Sequence, residues 1–333
     1  MPRSVAALFG VIAAAVVGCT GGVSPTGPDT SYSPSALQGC SRTSVGLTPL
    51  TDLLSGTYEG EPGGLYPGRR NDLPITHRLA GESRARMAGP YDASGGPSAN
   101  GKYAFISIGM SNTTQEFSTF VPMAVGDAGR DPHLVVIDGA QGGVTASEWV
   151  NPSCTCWTEL DHRLQQAGVT AAQVATAWVK LADAQPASGF PAYAKTLKDE
   201  TVTVLQLLKS RFPNLGLAYL SSRIYAGYAT STLNPEPYAY ESGLSVRWVI
   251  EDQMNGADSL RFDGSGARAP WVAWGPYLWA DGLKSRGDGL TWACSDFSSD
   301  GTHPGTSGRQ RVASRLLDFV HNDSTARLWY LTR

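Results

Sequence analysis

The stretch AFISIGMSNTTQEF, residues 104–117, decides the fold. Tyr103 to Ile108 is a short apolar run rich in β-formers and bounded by Gly101 and Gly109, the pattern of a buried strand. Phe117, Phe120 and Val121 then recur at helical spacing. A strand turning into a helix at Gly109-Met110-Ser111-Asn112 sets a serine at the C-terminal end of the strand, where open α/β sheets hold their ligands. The corner has a structural reading, with Gly109 making the turn and Ser111 as an N-cap. It also has a chemical one, with Ser111 as a nucleophile, if the chain supplies a base.

The same alternation continues outward. Further strands are expected at Leu134–Ile137, Val174–Val179 and Leu215–Leu220, and helices at Thr114–Val125, Pro152–Ala167 and Phe190–Phe212. Short continuous apolar strands alternating with helices argue a parallel sheet covered on both faces. The expected fold is therefore α/β, a three-layer α/β/α sandwich with a central, mainly parallel sheet. From about 225 to 296 the regularity fails apart from a helical stretch at Ser245–Met254, and the segment reads as an insertion rich in Trp, Tyr, Pro and Gly. Its Trp271, Trp274, Tyr277 and Trp279 either wall a binding site or pack an irregular core. A last helix, Gly308–Val320, follows.

The amino-terminal MPRSVAALFGVIAAAVVGC has one early charge, Arg3, and an apolar run from Val5 to Val17, the layout of a secretory signal over 1–18. Val16-Val17-Gly18-Cys19 resembles the bacterial lipobox, which implies that Cys19 becomes a lipidated first residue anchoring the protein to a membrane of the cell envelope. Residues 19–45, dense in Gly, Ser, Thr and Pro, read as a flexible tether, and 46–333 as a single α/β domain with an insertion. Cys40, Cys154, Cys156 and Cys294 suggest disulfides in an exported chain. Across a single residue Cys154 and Cys156 are not expected to join each other, so each is expected to pair with Cys40 or Cys294. Cys154-Thr-Cys156 lacks zinc-knuckle spacing, and no cofactor or metal is implied. With a net charge of −3 and no basic run, nucleic acid is excluded as a partner.

A serine hydroxyl needs a base to take its proton and a carboxylate to orient that base. Of five histidines, His303 stands apart, lying in the loop Asp300-Gly301-Thr302-His303-Pro304 ahead of the last helix. The three-residue gap lets Asp300 curl back onto Nδ1 and leaves Nε2 facing outward. A serine after the first strand and Asp-x-x-His near the end resemble the SGNH (GDSL-like) hydrolases. Within them Gly109-Met110-Ser111-Asn112 is most similar to the Gly-Gln-Ser-Asn block of the sialate O-acetylesterase and acetylxylan esterase branch. That resemblance implies the triad Ser111, His303, Asp300. Its second block is similar to Gly142–Trp149, which implies Gly143 as an oxyanion donor, together with the Ser111 backbone N–H and Asn112. Its third block is only echoed by Trp178-Val179-Lys180, where Lys180 stands in place of the side-chain amide that would donate to the oxyanion, so its ammonium is a further candidate oxyanion donor.

The resemblance implies an exported serine esterase removing an acyl group, most simply acetyl, from a carbohydrate. A non-catalytic, surface-anchored carbohydrate-binding protein and an O-acyltransferase are the alternatives. Three further clusters are candidates: Arg69 and Arg70 for an anionic group, Arg223 pointing into the cleft, and Glu236 with Glu241 as a carboxylate pair.

Overall fold

The computed structural model describes Met1 and residues 39–332. The expected signal at 1–18, Cys19 and most of the tether lie outside the described residues.

A hairpin of β1 (Thr57–Tyr58) and β2 (Glu61–Pro62) precedes α1 (Ile75–Met87). Then come β3 (Tyr103–Gly109), α2 (Ser111–Val125), β4 (Leu134–Ile137), α3 (Ala146–Trp149) and α4 (Thr155–Gln166). They are followed by β5 (Val174–Lys180), α5 (Ala192–Arg211), β6 (Leu217–Leu220), α6 (Tyr238–Met254), β7 (Trp271–Trp274), α7 (Thr306–Asn322) and α8 (Arg327–Tyr330). Strands β3 to β7 form one sheet in the order β4-β3-β5-β6-β7, every neighbouring pair parallel. The first strand of the sheet lies between the second and third, the flavodoxin-like doubly wound order, and the chain reverses direction across the sheet beside β3. The α/β reading of the sequence holds.

Every residue of β3, β5, β6 and β7 is buried, which is why these strands read as continuous apolar runs. Helix α2 packs on α7 and α7 on α8, while α5 packs on α6 and α3. Right-handed crossovers place these two groups on opposite faces of the sheet. Among the described residues no helix is long and apolar enough to cross a membrane.

Three readings are decided or corrected. The aromatic segment, open between a binding wall and a core, is core: Trp271 and Trp279 are 0 % exposed, Trp274 4 % and Tyr277 5 %. Trp271-Val272-Ala273-Trp274 is itself the fifth strand, paired with β6. Its ring N–H groups are satisfied inside, Trp274 by Leu65 O at 2.7 Å and Trp271 by His77 O at 3.1 Å. The tether ends earlier than expected, because a short 3₁₀ turn at Gly39–Ser41 and hydrogen bonds from Ser44, Val45 and Gly46 to the Asp281 carboxylate fix the chain onto the domain.

The third correction concerns the disulfides, which join Cys40 to Cys294 and Cys154 to Cys156. Cys154 is the N-cap of α4, and the chain turns into the helix there, bringing the two Cα atoms to 5.1 Å, within disulfide range. An extended Cys-x-Cys would hold them farther apart.

Candidate active site

Strand β3 ends on Gly109, and no other residue fits there. A Cβ at this position would lie 2.3 Å from Lys180 O and 2.3 Å from the Thr113 hydroxyl. Met110, in extended backbone, is the N-cap of α2, so Ser111 is the first helical residue rather than the cap. Its hydroxyl is therefore free of capping duty, and Oγ lies 2.7 Å from Nε2 of His303. The first helical bond runs from Thr114 N–H to Met110 O, which leaves the amides of Ser111, Asn112 and Thr113 at the positive end of a 15-residue helix.

The histidine is held by its own loop. Asp300 Oδ1 accepts the backbone N–H of Thr302 and of His303, each at 3.0 Å, and Oδ2 meets the ring Nδ1 of His303. An acceptor on Nδ1 fixes the tautomer that leaves Nε2 free to take a proton. Burial pushes the Asp300 carboxyl up, but the hydrogen bonds from the His303 ring and the two amides outweigh it and hold the group below its ordinary value. The loop closes on Gly301, at φ +63°, where a Cβ would lie 1.9 Å from Tyr228 O. Ser111, Asp300 and His303 are thus brought together in one hydrogen-bonded chain.

Asn112 and Lys180 do something else. The Asn112 side chain donates to Thr302 O at 2.9 Å, so it ties α2 to the histidine loop instead of facing an oxyanion. Lys180 is 1 % exposed and its ammonium is paired with the fully buried Glu116 carboxylate, with one bond at 2.6 Å. A cation at the end of a wholly buried strand requires such a partner, and Glu116 sits one helical turn beyond Asn112. Burial and the Arg223 charge lower the Lys180 pKa to about 8, against the pull of Glu116. Lys180 is thereby removed from the oxyanion position.

Gly143 lies in a loop latched onto β3. Asp138, just beyond β4, accepts the Ser107 hydroxyl at 2.6 Å, and that oxygen accepts the amides of Gly139 and Ala140. Gln141 N–H and the Trp149 ring N–H both donate to Gly109 O, at 3.0 and 3.2 Å. Among the described residues, the amides of Gly142 and Gly143, both exposed, donate to no protein group. Sequence reasoning missed Asp138 and Glu116, and placed Trp149 only as the end of the second block. An acid one residue past an apolar strand, and a Glu beside Phe117 on a buried helix face, were the signals available.

The other candidates are structural. Glu236 accepts from Ala226 N–H, Tyr240 N–H and the Trp279 ring, and Glu241 accepts from the Tyr58 hydroxyl at 2.8 Å, so they form no open carboxylate pair. Arg69 binds the carbonyls of Leu54 and Gly56. Arg223 is 1 % exposed, and among the described residues its guanidinium makes no hydrogen bond; Glu116, Glu236 and Asp300 balance its charge through space.

No family model and no curated protein matches the sequence. Solved structures do resemble it in fold. A Bacteroides fragilis protein described as an acylhydrolase aligns over 77 % of this chain and 100 % of its own at 12 % identity and a TM-score of 0.38. An acetyl esterase variant with an acetate ion aligns over 64 % of this chain and 94 % of its own at 13 % identity and a TM-score of 0.36. The periplasmic domain of a lipopolysaccharide acetyltransferase of Salmonella ser. Paratyphi A covers 67 % of this chain and 84 % of its own, at 13 % identity and a TM-score of 0.36. At this distance they assign no residue and no activity.

Proposed function

We propose that this protein is a serine hydrolase of SGNH type that removes acyl groups, most simply acetyl, from carbohydrate hydroxyls. The observation that carries the reading is the continuous chain from Ser111 Oγ to His303 Nε2 at 2.7 Å and from His303 Nδ1 to Asp300, at the C-terminal edge of a parallel sheet. His303 takes the serine proton as Oγ attacks the ester carbonyl, and Asp300 holds the resulting imidazolium. The Ser111 and Gly143 amides, one at the positive end of α2 and one in the latched loop, are the donors for the oxyanion. The alcohol leaves with the proton from His303, and water attacks the acyl-enzyme in the reverse sense. If a second sugar hydroxyl replaces water, the same residues perform acyl transfer.

Export through 1–18 and anchoring at Cys19 belong to this proposal, supported by the apolar amino-terminal run and by cysteines paired as in oxidised proteins. The reading as a sugar-binding module loses one of its motives, since Trp271, Trp274, Tyr277 and Trp279 are buried; the divergent third block remains the other. Labelling by a fluorophosphonate probe, with turnover of p-nitrophenyl acetate, tests the proposal. Both are expected in the wild type and neither in Ser111→Ala; full activity in Ser111→Ala overturns it.

A further inference from the structure

The edge of the sheet opposite Ser111 carries a groove of about 670 Å³. Its walls are the last turn of α1, the last two turns of α5 and the 262–268 loop that leads into β7. Arg84, Lys209 and Arg268 line it together with Phe262, Gln206 and Ser265, and no carboxylate is among its lining residues. Its cations are under-compensated. Arg84 forms no ion pair among the described residues and lies 5.8 Å from the centre of the Phe262 ring. Lys209 spends its ammonium on the carbonyls of Pro213 and Leu215, at 2.7 and 3.0 Å, which neutralise no charge. Arg268 shares one acid, Asp258, with Arg261, at 3.2 and 3.5 Å. Asp263, beside Phe262, is exposed outside the groove.

We infer that this groove binds an acidic polysaccharide, a glycan whose sugars carry carboxylates. Guanidinium forks match carboxylates, the half-buried Phe262 ring gives a flat apolar wall for a sugar face, and Gln206 and Ser265 offer partners for hydroxyls. The ring packs at a right angle to the His77 ring, with centroids 6.2 Å apart. A seven-residue strand separates the two edges of the sheet, roughly 20 Å at the usual rise per residue. A ligand that reaches both the groove and Ser111 is therefore a polymer of several sugars. The assignment rests on the proposed deacylation of carbohydrate and names its substrate class, an acidic polymer anchored at one edge and deacylated at the other.

The test is affinity electrophoresis through gels containing polygalacturonate, neutral dextran or duplex DNA, with the wild type and an Arg84→Ser/Arg268→Ser variant. Retardation of the wild type by polygalacturonate alone is expected, lost in high salt and lost in the variant. The variant is also expected to turn over p-nitrophenyl acetate as the wild type does, while its kcat/KM on acetylated polygalacturonate falls at least about tenfold, since both arginine contacts are lost together. No retardation, equal retardation by dextran or by duplex DNA, or unchanged retardation of the variant overturns the groove assignment. Failure to hydrolyse p-nitrophenyl acetate strikes instead at the proposed hydrolase, and the gel result then stands by itself.

Discussion

Ser111 Oγ and His303 Nε2 meet at 2.7 Å although 192 residues separate them. The contact survives only if His303 keeps the tautomer that Asp300 imposes through Nδ1. Asp300→Asn is expected to keep the fold and to lower kcat on p-nitrophenyl acetate by a factor on the order of 10⁴, since the amide can donate to Nδ1 and stabilise the wrong tautomer. A variant that retains more than about a tenth of the wild-type kcat, with an unchanged melting temperature, would remove Asp300 from the mechanism.

The bond from Asn112 to Thr302 O couples the two halves of the site. Asn112→Ala leaves that carbonyl unpaired at a cost of about 1–3 kcal/mol and loosens His303 against Ser111. Fluorophosphonate labelling of Asn112→Ala is expected to be slower than in the wild type but not abolished. Complete loss of labelling in a folded protein would restore Asn112 as a direct participant.

Ser111, Asp300 and His303 were legible because each belongs to a short local pattern, a glycine corner after a strand or a carboxylate three residues before an imidazole. Lys180 was not, because its partner Glu116 lies 64 residues earlier, hidden in an apolar helix face. The aromatic segment misled for a related reason. Trp and Tyr are amphipathic, so composition alone does not say whether they face sugar or core, and here the burial of Trp271 and Trp274 in β7 decided it. The sheet itself was readable from four buried strands. Its fifth, as long as β4 and β6, was masked by its tryptophans between a proline and a glycine.

Removing one member of the Lys180–Glu116 pair isolates the other in the interior. Lys180→Met is expected to cost about 3–5 kcal/mol in urea unfolding, and adding Glu116→Gln to recover part of it. The part not recovered is the share of Glu116 in balancing Arg223, whose guanidinium has no hydrogen-bond partner among the described residues. The double variant should still turn over ester. If it folds yet is inactive, the ammonium of Lys180 has a chemical role after all.

Glu241 makes stability pH-dependent. Burial, then the charges of Glu236 and Glu59, raise its pKa from 4.5 to about 7 despite the Tyr58 hydroxyl. The folded state thus binds more protons than the unfolded state between these values, so this contribution is fully present below pH 4.5 and is lost as pH rises toward 7. The span corresponds to a loss on the order of 3 kcal/mol. Glu241→Gln keeps an acceptor for Tyr58 without the charge. Its melting temperature is expected to exceed that of the wild type at pH 8 and to match it near pH 4.5, and a parallel pair of pH profiles would refute the assignment.

The two disulfides should differ sharply in what their removal costs. The Cys40–Cys294 bridge closes a loop of 254 residues and ties the start of the domain to the chain six residues before Asp300. Chain entropy and the record of native bridges put its contribution at about 2–5 kcal/mol. The Cys154–Cys156 bridge spans two positions and constrains little of the unfolded chain, less than about 2 kcal/mol by the same relation. Cys40→Ser/Cys294→Ser is therefore expected to lower both the melting temperature and the activity, because the Asp300–His303 loop loses its nearest covalent anchor. Cys154→Ser/Cys156→Ser, at the start of α4, is expected to change either one only slightly. Mass spectrometry of unreduced peptides decides the pairing first. A Cys40 peptide joined to the Cys294 peptide, and a Cys154–Cys156 peptide two hydrogens light, are required, and a bridge from Cys294 to Cys154 or Cys156 would overturn both expectations together.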